Sequence, residues 1–265
     1  MTGVQTCALP ISGPLLAWKR GDLLGALQRL WIAFAVALAV VLVGLYLAGF
    51  TPILAVLGLA LAAWVAVGTL TEWAERVKLF RASAGETWRR AWNLPRSSYG
   101  MTLAHLGLAV SVAGIAASAF EVERIELLHP GDTLDLAGYQ LHFDGTEKVE
   151  GPNFAADRAS IEVTRNGAPI AVLHPERRFF ALQQMTTSLT AIRTTFMSDL
   201  YVALGDPDDS GGSTVRAYWK PLVPWIWIGA VMMAAGGVLS LLDRRWRVGV
   251  AARRRLPAAH PAPGE

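Results

Sequence analysis

The residue best placed to do chemistry is His105, in the run Tyr99-Gly-Met-Thr-Leu-Ala-His-Leu-Gly107. An ionisable ring within an uncharged segment is expensive to bury, which marks it as a functional residue. Its neutral imidazole can bond to a neighbouring helix or ligate haem iron, and spacing alone leaves both open. At helical periodicity Met101, Leu108, Ala109, Val112 and Ala116 share its face, while Gly107, Ser111, Gly114 and Ser118 form a stripe of small residues on roughly the opposite side. His129 and His174 sit where strands end and His142 lies within one, so each reads as exposed or structural, and His260 lies in the tail. Cys7 is the single cysteine, which leaves no disulfide, zinc or iron–sulfur chemistry. No serine, histidine and aspartate order, phosphate loop or dinucleotide fingerprint stands out. Gly236-Gly237 has no strand before it and reads as a site of close helix packing. The run His174-Pro-Glu-Arg-Arg-Phe-Phe180, followed by Gln183-Gln184-Met185, is either a partner surface or a polar strand edge.

The elements that must position these residues are apolar helices. The chain of 265 residues is 53% hydrophobic and 17% charged, with a mean hydropathy of +0.36, which suits a membrane protein. Uncharged runs at Leu30 to Phe50, Ile53 to Leu70, Gly100 to Phe120 and Leu222 to Leu242 are each about the ~20 residues a bilayer requires. The break at Thr51-Pro52 makes the first two an antiparallel hairpin over 30–70. His105 then lies about one and a half turns inside the third run, whose start Ser97 and Ser98 are expected to cap. The formal charge of +3 and pI near 9.2 do not signal nucleic acid, because the basic residues cluster beside apolar runs. They fall in the N-terminal flank (13–29), the loop 71–99 and the tail 243–265, and so place those segments in the cytoplasm and the lipid bilayer between them and 121–217. Trp225, Trp227 and Trp246 suit interfacial belts.

Residues 121–217 carry 15 acidic and 8 basic side chains, a sharp shift from those basic flanks. Short β-rich runs at Arg124–His129, Tyr139–Phe143, Ala159–Thr164 and Ile170–His174, with the hairpin signal Asn166-Gly167, predict a small β domain between the third and fourth helices. The fold class is therefore a polytopic α-helical membrane protein, four transmembrane helices in this stretch, with a β-rich periplasmic domain. Residues 1–12 look like the translation of a sequencing-library adapter and are left out of fold reasoning.

Several motifs, in order, resemble the C-terminal region of the CcmF/NrfE haem lyase family: Tyr99 to Val110, Glu150-Gly-Pro-Asn-Phe154, Leu173 to Phe179, Gln183 to Met185, Asp199 to Leu204, Lys220-Pro221 and Trp225-Ile-Trp227. The resemblance implies a bacterial inner-membrane protein, termini cytoplasmic, that handles and reduces haem and assists its attachment to apocytochrome c in the periplasm. It implies the haem chaperone CcmE and CcmH as partners, and a structural haem b for which His105 matches one axial histidine. In the matching run Arg177 stands where the family usually has lysine, and His174, Arg177, Arg178 and Phe179 are expected to bind a partner because aromatic and arginine anchors can supply affinity without a catalytic group. The family's Trp-rich segment, its external haem-binding histidines and its other membrane histidine have no counterpart in this sequence. The chain alone is therefore expected not to be catalytic. A membrane-anchored docking scaffold without its own cofactor is the competing expectation.

Overall fold

Long apolar runs with no water to satisfy their backbone must close their hydrogen bonds internally, which makes them helices. The computed structural model describes residues 23–48 and 52–243. The adapter-like start, most of the N-terminal flank, and the tail with Trp246 fall outside the described residues. Among the described residues, four helices are long and apolar enough to cross a membrane: α1 (Leu23–Ala48), α2 (Ile53–Arg76), α4 (Arg96–Ala117) and α5 (Val223–Leu241). With a multi-strand domain between the last two, this is a multi-pass membrane protein. A short helix, α3 (Ala84–Trp92), joins α2 to α4.

α1 and α2 cross closely at Gly44, where a Cβ would lie 2.8 Å from Val56. Phe34 and Trp64 meet edge to face, 6.4 Å between centroids. α4 and α5 pack antiparallel along a glycine seam repeating every seven residues. A Cβ at Gly100 would fall 2.5 Å from the Gly236 carbonyl oxygen, one at Gly107 2.7 Å from that of Gly229, and one at Gly114 2.8 Å from that of Leu222. Helices gain nothing hydrophobic by associating in lipid, so small residues that admit backbone contact hold them together. Of the pair singled out in the sequence only Gly236 does this; a Cβ at Gly237 would meet nothing within 4 Å.

A 3-10 turn (Ser118–Phe120) leads from α4 into ten antiparallel strands: β1 (Val122–Leu128), β2 (Thr133–Leu136), β3 (Tyr139–Glu150), β4 (Ala155–Arg165), β5 (Ala168–Leu173), β6 (Glu176–Phe180), β7 (Met185–Leu189), β8 (Ala191–Thr194), β9 (Ser198–Pro207) and β10 (Ser213–Pro221). One sheet has the order β1-β10-β9-β8, the other β2-β3-β4-β6-β7, with β5 also on β4. Their inner faces enclose Phe143, Leu134, Leu136, Leu141, Ile161, Leu200, Leu204 and Val215, all essentially without solvent contact. Asn166 (φ 52°) and Gly167 (φ 76°) make the tight β4–β5 turn, with Arg165 opposite Ala168. β1 and β10 are neighbours, Val122 opposite Trp219, so the α4–α5 pair continues directly into a strand pair.

Candidate functional site

His105 lies nine residues into α4, about 13 Å along its axis. That is deeper than one and a half turns, because the helix starts at Arg96 and not near Gly100. Nor do the serines cap that start with their side chains. Pro95 occupies the cap, the Asp243 carboxylate beyond α5 accepts from the Ser97 N–H at 3.1 Å, and the buried Ser98 hydroxyl accepts from Arg76 of α2 at 3.0 Å. Both serines fall inside the first turn, so partners from other helices reach groups their own side chains do not satisfy. Three helices are thereby tied at one end.

His105 Nδ1 lies 2.8 Å from the Met101 carbonyl oxygen. A carbonyl only accepts, so Nδ1 carries the proton and donates, and in the neutral ring Nε2 keeps a free lone pair. That tautomer is the one required for a ligand binding through Nε2, with a backbone carbonyl as its supporting acceptor. The ring is half-buried. The glycine seam faces α5, and Ser111 donates to the Ile226 carbonyl at 3.0 Å. Ala109 and Ala116, placed on the His105 face, are buried, and Ala116 lies so close to Gly58 of α2 that a Cβ at Gly58 would be 2.8 Å away. The apolar surface left open on α4 is that of Leu108, 39% exposed, and Ile115, 59% exposed. Among the described residues no cluster of three metal-binding side chains occurs.

The run from His174 to Phe180 divides by strand alternation. Glu176 is buried and holds two guanidiniums, Arg158 at 2.7 Å and Arg178 at 2.7 Å. Burial pushes its carboxyl pKa up, but both arginines outweigh that and leave it below the ordinary value. Arg178 also stacks over Phe154, 4.3 Å to the centroid, and Phe154 packs on Phe180 at 5.8 Å. Arg177 points the other way to Asp206 at 2.8 Å, beside a groove of about 480 Å³ with Tyr201, Arg216 and Tyr218. In that groove a hydrogen bond to Glu123, with burial, raises the Tyr218 hydroxyl pKa. Phe179 is 41% exposed. His174 is exposed and lines a separate cleft of about 550 Å³ with Asp144, Glu147 and Arg158. The four residues therefore do not converge on one pocket. His129 and His142 bond Ser210 at 3.0 Å and Thr133 at 3.1 Å.

The groove residues Tyr201, Arg216 and Tyr218 and the ion-paired Glu176 were not singled out in the sequence. The alternation of β9 and β10 was the available signal for the first three. Nothing local distinguishes Glu176 from an exposed acid.

A family model described as the CcmF C-terminal beta-sandwich matches residues 119–221. The cytochrome c-type biogenesis protein CycK of Rhizobium meliloti is 44% identical, over 92% of this chain and 36% of that protein. Cytochrome c-type biogenesis proteins CcmF of Pseudomonas aeruginosa and Escherichia coli are 41% and 38% identical, over 92% and 93% of this chain and 36% and 37% of theirs. A solved structure titled Cytochrome c Heme Lyase CcmF superposes with a TM-score of 0.65 at 22% identity, covering 88% of this chain and 37% of that one. The chain thus spans little more than a third of these relatives' length.

Proposed function

Over the residues it shares with these relatives the chain belongs to the CcmF family of cytochrome c-type biogenesis proteins, and from that premise we propose that it is one part of a haem lyase. In this reading it helps hold haem in the bacterial inner membrane and assists covalent attachment to apocytochrome c in the periplasm. The observation that carries the proposal is the His105 tautomer, fixed by the Met101 carbonyl on a membrane-spanning helix. His105 Nε2 would hold the iron of a haem b, and Leu108 and Ile115 offer apolar surface on the open side of the same helix. Haem bound there would supply one-electron transfer at its iron. None of the chain's other apolar runs contains a histidine.

The chain's own residues do the rest. The Gly100, Gly107 and Gly114 seam fixes the rotation of α4 against α5, and hence where His105 points. The β domain, with Arg177, Phe179 and His174 on its surface, docks the maturation partners, for which the family suggests CcmE, CcmH and the apocytochrome. Arg178 instead props β6 from within through Glu176 and Phe154.

The test is complementation of a strain lacking its CcmF-type gene. The complete protein should restore covalent cytochrome c, and a form with 121–217 removed should insert in the membrane and restore none. A domain-deleted form that restores the full yield would refute the docking role. Paired Ala replacement of Arg177 and Phe179 should lower both partner co-purification and yield while leaving the haem b spectrum intact. Unaltered yield and co-purification would make that surface structural only.

A further inference from the structure

We propose that α3 and the turn before it form an interfacial element that lies in the membrane surface and binds anionic phospholipid headgroups. The inference rests on the multi-pass membrane reading and goes beyond haem handling. α3 is amphipathic in an unusual sense, because its apolar side faces away from the protein. Trp88 is 70% exposed and Trp92 79%, their rings 6.4 Å apart, while Thr87, Arg90 and Ala91 lie on the more protected side. Phe80, in the preceding turn, is 94% exposed.

That exposure is built in. α2 ends with the Lys78 N–H donating to the Glu75 carbonyl and the Leu79 N–H to the Ala74 carbonyl at 2.8 Å, a helix terminator that needs a left-handed residue. Lys78 (φ 54°) and Phe80 (φ 64°) both adopt that conformation without being glycine, against the steric preference of a residue with a Cβ. The turn thrusts Phe80 outward. Ser83 then caps α3 through the Glu86 N–H, Glu86 pairs with Arg90 at 2.7 Å, and the Tyr99 hydroxyl donates to the Ala91 carbonyl at 2.8 Å. The element therefore has one fixed orientation.

Its surroundings decide the occupant. α3 is about 13 Å long and is tethered by seven residues to the end of one membrane span and by three to the start of the next. It cannot leave the bilayer surface. Exposed Lys78, Arg81, Arg89 and Arg96 flank the three aromatics along the chain, and the one acid of α3 is already paired with Arg90. Aromatic rings at the headgroup level with cations beside them are complementary to an anionic lipid surface.

The test uses complete protein in nanodiscs of phosphatidylcholine, with or without phosphatidylglycerol. An environment-sensitive fluorophore is attached at Trp92→Cys, or at Phe80→Cys, with other cysteines replaced. Labels at both sites should be quenched several-fold more by lipids brominated near the glycerol than by aqueous iodide, with the reverse at Asp209→Cys. Phosphatidylglycerol should shift their emission to the blue, and Arg81→Glu with Arg89→Glu should abolish that shift. Iodide quenching equal to the Asp209 control, or protection from both quenchers because protein covers the face, would overturn the proposal. A label at Val231→Cys, mid-span on α5 and 69% exposed, separates the two readings, since loss of lipid quenching there too would mean that the helices do not span the bilayer.

Discussion

Two side chains, His105 and Glu176, show how far chemistry can be read from a residue and where its neighbours take over. The sequence left His105 either bonding a neighbouring helix or ligating iron, whereas its Nδ1–H donates to the Met101 carbonyl of its own helix, which leaves the Nε2 lone pair open. Glu176 was illegible as a special residue: Arg178 stands two residues on along the same strand, but the second guanidinium, Arg158, comes from β4 at a separation of 18 residues, and no local pattern says that the acid is buried between them. Its folded pKa lies below its unfolded value, so it contributes stability above the unfolded carboxylate range, and that contribution is lost as pH falls through the folded value. Glu176→Gln should therefore cost about 1–3 kcal/mol at neutral pH. The cost should shrink on acidification, measured by thermal unfolding at a series of pH values. A cost independent of pH would show that packing, not charge, holds the triad.

At the scale of elements, the transmembrane runs and the Asn166-Gly167 hairpin were legible because each announces itself within a few residues. α3 was not, being masked by a loop rich in charge, although Ser83 with Glu86 three residues later is a capping signal. β2 was missed for a related reason. Its turn to β3 uses Ala137 (φ 48°) with Gly138 (φ 81°), and alanine gives no warning of a left-handed backbone. The α4–α5 seam makes a sharp contrast between adjacent glycines. Gly236→Ala would press a methyl to 2.5 Å from the Gly100 carbonyl oxygen and should cost about 1–3 kcal/mol. Gly237→Ala meets nothing within 4 Å and should be neutral or stabilise by up to about 1 kcal/mol through helix propensity. Thermal denaturation of the two variants in detergent decides it, and equal losses would contradict the seam.

At the scale of the whole molecule, the α4–α5 pair and the β1–β10 pair form one continuous antiparallel ribbon, so the β domain is held to the membrane helices through two adjacent strands. Phe196 and Met197, 63% and 57% exposed, sit where that ribbon meets the start of α5, with the Trp225 indole donating to the Phe196 carbonyl at 3.0 Å. This suits an interface anchor on the domain side. The basic loop and tail against the acidic β domain orient the assembly in the proposal, with 121–217 in the periplasm. Alkaline phosphatase fused after Ser210 should accordingly be active and after Arg254 inactive, and the reverse would invert the orientation. The central claim, that the membrane part of this assembly holds haem through His105, is tested most directly by a reduced-minus-oxidised spectrum of the complete protein carrying His105→Ala. Loss of the b-type signal, with partial return on adding imidazole, is the expected result, and an unchanged spectrum would contradict the account.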